Sequence, residues 1–313
     1  MASSFNDVAM LLPKGLTVFE RGWLSSNNIL IMGEAATALV DTGYCTHQDQ
    51  TLELVKAKLK GKALDYLVNT HLHSDHCGGN AILQKHYPQA ITYIPEPYAD
   101  AVTNWDEKKL SFASTGQLCF PFSFNQVLLT GQEIQLGDLT WQIHAAPGHD
   151  PDSVILFEPQ SRCLISADAL WQHGFGVVFP ELVNTPAFEL VGQTLDLIEK
   201  LNPLVVIPGH GQVFSDVSDA LARARERLAV FQKFPIKHTS HAAKVLLKFK
   251  LMELKKIAIA EFIEWAIQTQ LIQTIMVQAT ADKKPTELVN EFLAQLNKAN
   301  VIRIDDSFIY DVA

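Results

Sequence analysis

The segment Thr70-His71-Leu72-His73-Ser74-Asp75-His76 places three imidazoles and a carboxylate within six residues, His71 to His76. Imidazole and carboxylate are the usual ligands for zinc, and for iron or manganese where oxygen donors share the site. A short loop leaving a strand can turn such closely spaced side chains toward one point. A regular helix or strand cannot, because its periodicity spreads neighbours over different faces. The apolar pair Leu67-Val68 just before the loop supplies the strand.

The remaining ligands of such a centre are found further along. Ile143-His144-Ala145-Ala146-Pro147-Gly148-His149 and Leu204-Val205-Val206-Ile207-Pro208-Gly209-His210 both run an apolar strand into Pro-Gly-His. Proline stops the ladder, glycine permits a sharp turn, and histidine is presented at the strand end. Cys163-Leu164-Ile165-Ser166-Ala167-Asp168 ends another apolar strand in a carboxylate. Any one of these alone is an ordinary turn. Together the four strand ends carry five His and two Asp, His71, His73, Asp75, His76, His149, Asp168 and His210.

The elements that must position these residues follow from local pattern. Asn28–Met32 and Ala38–Asp41 read as a hairpin, and Leu64–Thr70 as the strand that delivers the loop. Helical spacing falls on His47–Lys60, Gly78–Tyr87 and Ala187–Leu201, and later strands on Thr140–Ala145, Val154–Glu158, Arg162–Ala167 and Leu204–Ile207. Mixed strands with covering helices predict an α/β fold, a layered αββα sandwich with the ligands at its strand ends. A boundary near Pro235 predicts two domains, 1–234 holding the metal-binding loops and 235–313 mainly helical. Ser215–Phe234 is helical before that boundary, and Thr239–Leu254, Ala258–Thr269 and Pro285–Ala299 after it. Two short strands joined by Asp305-Asp306-Ser307 close the chain.

With 313 residues, 48% of them hydrophobic, the chain can bury a substantial core. A net charge of −9 argues against nucleic acid and anionic membranes as partners. No apolar run approaches the roughly 20 residues that span a bilayer. Met1-Ala2-Ser3-Ser4-Phe5-Asn6-Asp7 has no basic region leading into an apolar one, as a secretory signal would. Cys45, Cys77, Cys119 and Cys163 form no C-x-x-C and read as reduced thiols of a cytoplasmic protein. Cys77 follows His76 directly and reads as packing, because the ligand set is complete without it.

The order H-x-H-x-D-H, His, Asp, G-H-G resembles the metallo-β-lactamase superfamily. Within it the chain looks like the branch of dinuclear hydrolases that includes glyoxalase II, the lactonases and the ribonuclease Z group. The resemblance covers about residues 15–215, and all seven ligand positions match. It implies the αββα fold and two divalent metal ions, zinc first, with iron or manganese as alternatives. By that resemblance His71, His73 and His149 hold one metal, and Asp75, His76 and His210 the other. Asp168 bridges the two, and Asp75 also orients a metal-bridging hydroxide that attacks an ester, thioester or lactone. Asp41, ending a strand in Val40-Asp41-Thr42-Gly43, resembles a family position near the metal loop and suits a partner that fixes a ligand's tautomer. Trp171, His173 and Phe175 follow Asp168 closely and are candidates for the substrate pocket. His47, His86, His144, His238 and His241 fit no ligand slot.

Three helices and a hairpin after residue 235 resemble a winged helix, which some superfamily members carry behind the metal domain. Residues 235–313 hold ten Lys plus Arg against nine Asp plus Glu, a net of +1. A nucleic-acid reader usually shows a strongly basic face. Lys248, Lys250, Lys255 and Lys256 therefore read as a solvated helix face, and the region as a wall of the pocket or a homodimer contact. The partner expected is a small acyl substrate. The departures from relatives narrow it: well-known zinc β-lactamases place Cys where Asp168 stands, and flavodiiron proteins replace His73 with a carboxylate. Two alternatives stay open, a mononuclear iron persulfide dioxygenase and a nuclease-type phosphodiesterase that holds nucleic acid with its C-terminal domain.

Overall fold

The computed structural model describes residues 11–279 and 283–312, so the N-terminal segment read above for a signal lies outside the described residues. Six strands build the first sheet in chain order: β1 (Leu16–Phe19), β2 (Asn28–Met32), β3 (Thr37–Val40), β4 (Tyr66–Val68), β5 (Ile91–Pro95) and β6 (Gln126–Leu128). Its first two pairings are antiparallel and the rest parallel. The second sheet contains β7 (Glu133–Leu136), β8 (Leu139–Ala145), β9 (Val154–Glu158), β10 (Cys163–Ala167) and β11 (Val205–Pro208). Its order is β11-β10-β9-β8-β7, with only β10 and β11 parallel.

The layering follows from side-chain alternation along the strands. In β2, Ile29 and Ile31 face the second sheet and pack with Trp141, Ile143, Leu156, Ile165 and Ile207. Leu30 between them faces the other way, joining Leu39 and Leu67 against Val55, Leu59 and Leu83 from covering helices. A strand buried on both faces reads as a continuous apolar run, as these do. The second sheet does the same: Phe157, Leu164 and Val206 meet Leu195 and Ile198 of the helix Phe188–Leu201, and Leu221 and Leu228 of Val217–Lys233. The helix Phe188–Leu201 buries Val191, Thr194, Leu195 and Ile198, one stripe at three- and four-residue spacing. The result is the αββα sandwich.

Beyond residue 234 the sequence pattern predicts three helices and a hairpin. Among the described residues the structure has four helices, Pro235–Leu254, Ile259–Gln268, Gln270–Ala279 and Pro285–Lys298. It also has a three-stranded antiparallel sheet, in which β12 (Lys256–Ala258) joins β14 (Phe308–Asp311) beside β13 (Ile302–Ile304). The additional helix escapes a sequence reading because a single extended residue, Thr269, separates it from its neighbour, with no Gly or Pro to mark the break. Leu246, Leu247, Phe262, Ile275, Val289, Phe292 and Ile309 share one core with Val177 and Leu182. The lysine cluster is engaged within the chain. Lys248 and Lys255 pair with Asp311, Lys250 with Glu253, and Lys256 lies over Phe308 and Tyr310. No helix among the described residues is long and apolar enough to cross a membrane.

Candidate metal centre

All seven candidate ligands meet at one edge of the sandwich. β4 ends at Val68, and the chain then turns through Asn69 and Thr70, which are wholly buried. Asp41, just past β3, accepts from the Thr70 amide at 2.9 Å and from the Thr70 hydroxyl at 2.8 Å. The Asn69 side chain donates to the His76 carbonyl at 3.1 Å, and the Thr42 amide to the same oxygen at 2.7 Å. These bonds fold His71, His73, Asp75 and His76 back on themselves, the last two on the single turn Ser74–Cys77.

The second sheet brings the other three. His149 follows β8 and His210 follows β11, each after Pro-Gly as its phrase predicts. Asp168 follows β10, where the register against β11 shifts between Ile165 and Ala167. Ala167 takes a left-handed φ of 46°, uncommon for a residue with a β-carbon and a mark of a constrained site. Gly209 is required here because a β-carbon on it would lie 2.1 Å from Asp168 Oδ1.

His71 Nε2 lies 3.1 Å from His73 Nδ1, which lies 2.8 Å from His149 Nε2. Three ring nitrogens thus converge. On the other side His210 Nε2 is 3.0 Å from Asp75 Oδ2, and His76 Nε2 is 4.0 Å from the same oxygen. Asp168 faces both groups, at 3.3 Å from His149 Nε2, 3.5 Å from His76 Nε2 and 3.9 Å from His210 Nε2. Within each of the sets His71–His73–His149, His71–His76–Asp168 and Asp75–His76–His210, the donor atoms lie within 4.8 Å of one another. His76 Nε2 is fully buried with no hydrogen-bond partner among the described residues, a costly condition that a metal ion would relieve. The residues present therefore fit divalent metals.

Charge and burial agree. Burial is the main force on His73 and His149 and pushes each down to about 4, so both are neutral donors. Burial also dominates at His71 and holds it well below its ordinary value. At Asp168 burial opposes ionisation, but His76, His210 and His149 outweigh it and hold the carboxyl well below the usual range.

Partners fix the rings from outside. His76 Nδ1 lies 2.7 Å from Asp41 Oδ2. His149 Nδ1 donates to the Val177 carbonyl at 2.6 Å, which leaves its Nε2 lone pair facing inward. His73 Nε2 is 3.5 Å from Asp150 Oδ2, and Asp150 accepts from the Tyr98 hydroxyl. Asp150 and Tyr98 escaped the sequence reading, though Asp150 sits next to a ligand and could have been flagged there.

A cavity of about 490 Å³ opens over the cluster. Trp171 and His173 line it, and Trp171 Nε1 donates to Asp168 Oδ1 at 3.1 Å. Phe175 does not line it: only 1% exposed, it points into the core against Phe231. The loop alternates its faces, so the pocket assignment of Phe175 is corrected to packing. Trp23, not anticipated from sequence, stands 57% exposed at the rim and stacks on His210 with ring centroids 5.4 Å apart. His241, Val245, Leu246 and Phe249 supply a wall from the helix Pro235–Leu254.

This chain belongs to the metallo-beta-lactamase superfamily, whose family model matches residues 21–210. Among solved structures it resembles a metallo-beta-lactamase family protein of Thermus thermophilus, with a TM-score of 0.58 at 18% identity. That likeness covers 96% of this chain and all of the other. Among curated proteins it is 25% identical over 224 residues to a nitric oxide reductase of Moorella thermoacetica, covering 64% of this chain and 53% of the reductase. It is 26% identical over 227 residues to an atrochrysone carboxyl ACP thioesterase of Aspergillus terreus, covering 69% and 60%. The chain spans about half the length of several curated relatives it matches.

Proposed function

We propose that this chain is a metal-dependent hydrolase that cleaves a carbonyl ester, thioester or lactone at the His–Asp cluster. The observation that carries the reading is two complete donor triads facing one carboxylate, Asp168, beneath an apolar-walled cavity. When bound there, two divalent metal ions would lower the pKa of a water toward 7 and polarise a carbonyl oxygen. The side chains do the rest. Asp75 places Oδ2 against His210, leaving Oδ1 without a partner among the described residues and able to hold the proton of an attacking water. Trp171 fixes Asp168, Asp41 fixes His76, and the Val177 carbonyl fixes His149. Trp23, Phe179 and Phe249 exclude bulk water and receive an apolar acyl group.

The Aspergillus thioesterase among the relatives supports an acyl substrate. The Moorella nitric oxide reductase supports a second reading, redox chemistry at the same cluster. The three imidazoles of His71, His73 and His149 favour the first, because a three-histidine set is a donor set of hydrolytic zinc. Metal content of protein purified without added metal, paired with turnover of thioesters, lactones and aryl esters, decides between them. About two zinc or manganese ions per chain with acyl turnover is the expected result. One iron with oxygen uptake and no acyl turnover would overturn it.

A further inference from the structure

One cationic side chain lines the cavity, and none of the described residues neutralises it. Arg227 lies on the helix Val217–Lys233 and borders the same space as His73, Asp75, His149, Asp168 and His210. Its neighbours on that helix are paired, Arg223 with Asp216 and Arg225 with Asp196 and Glu199. Arg227 has no ion pair among the described residues. Its guanidinium lies over the rings of Phe175 and Phe231, 5.6 and 5.4 Å from their centroids, which fixes its plane.

Two contacts orient the fork without supplying charge. Nη2 donates to His241 Nε2 at 2.7 Å, so His241 is the acceptor and is neutral. Nη1 reaches the His173 carbonyl only at 3.5 Å, and Nε has no acceptor among the described residues. Most of the five N–H donors of a guanidinium are therefore free. Gly174 shows that the loop after Asp168 is shaped around this group. Its φ is +126°, and a β-carbon there would lie 2.6 Å from Nη1. Arg227 shares this cavity with the apolar side chains Val245, Leu246 and Phe249, and a bound anion there would complete its unpaired charge.

We propose that Arg227 anchors a carboxylate carried by the substrate, separate from the carbonyl that reacts at the His–Asp cluster. This rests on the hydrolase reading and narrows the substrate to an acyl compound with a second, anionic end. One guanidinium matches the single charge and planar fork of a carboxylate better than a phosphate dianion.

The test uses the metal-loaded protein and two probes, hexanoate and adipate, which differ only by a second carboxylate. Any carboxylate held by the metals is common to both. Calorimetry should find adipate bound at least about tenfold tighter by the wild type, the scale of a charge-assisted hydrogen bond. Arg227→Met should erase that preference at unchanged metal content, and Arg227→Lys should keep part of it. Equal binding of the two probes by the wild type overturns the proposal, as does a preference that survives Arg227→Met. Should Arg227→Met not fold, the wild-type comparison and Arg227→Lys decide. Hydrolysis of 4-nitrophenyl hexanoate and mono-4-nitrophenyl adipate is scored separately. Absent turnover with an intact binding preference sinks the hydrolase reading and leaves the anchor standing.

Discussion

Asp41 Oδ2 stands 2.7 Å from His76 Nδ1, while the same carboxylate holds the amide and hydroxyl of Thr70. One side chain thus fixes both the start of the ligand loop and the ring at its end. Asp41→Asn separates the two duties. Asn tolerates the left-handed φ of 56° and can keep one Thr70 contact, but it loses the charge that faces His76. Metal affinity at the second triad should fall about 10–100-fold, the usual cost of losing such a partner. Competition against a chelator reads it directly. Unchanged affinity would make Asp41 a turn residue for the Thr70 loop and nothing more.

Gly209→Ala tests the bridging place expected of Asp168 without replacing any candidate ligand. The added methyl would meet Asp168 Oδ1 at 2.1 Å, and backbone bonds to Ala167 and Asn27 pin the glycine in place. The carboxylate must move. A shift of about 1 Å can cost about 10²-fold in rate, so acyl turnover should fall by that order while the melting transition stays cooperative. Full activity in this variant would show that Asp168 has room to adjust and that its bridging geometry is loose.

The candidate ligand set was legible because chemistry-bearing residues sit at strand ends, and a strand end is marked locally by Pro-Gly or by an apolar run that stops. Asp41 was legible for the same reason. Trp23 was not: it packs on His210 across the whole length of the region the family model matches, and no local pattern encodes that contact. Arg227 reads in sequence as one of several charges on an amphipathic helix, and only the fold shows that its neighbours are paired and it is not. Short strands such as β7 and β12 failed for another reason, since three or four residues of mixed polarity establish no periodicity.

Phe175 illustrates how proximity in sequence misleads, and it can be checked. Trp171 and His173 reach the cavity, whereas Phe175 is buried between Phe231 and the Arg227 guanidinium. Phe175→Ala should cost about 3–5 kcal/mol in a denaturant titration, as truncation of a buried aromatic does. A pocket residue would instead raise KM with little loss of stability, and that outcome would return Phe175 to the cavity wall.

His238 gives the stability a pH dependence of calculable sign. It is 1% exposed and its Nε2 accepts from the Val178 amide at 3.0 Å, so the folded protein requires it neutral. Burial first, and Arg227 second, lower its pKa from 6.5 to about 4. In the unfolded chain it titrates at its ordinary value, so below about pH 6.5 the unfolded state binds a proton that the folded state refuses. Stability should therefore be flat in this contribution above pH 6.5 and fall as pH drops toward 4, by up to about 1.4 kcal/mol per unit. His238→Gln keeps an acceptor for Val178 without taking a proton. In metal-free protein the variant should be the less stable at about pH 7.5, with the gap closing or reversing by about pH 5. A gap that stays constant across that range would mean His238 is protonated in the fold, which the Val178 bond forbids.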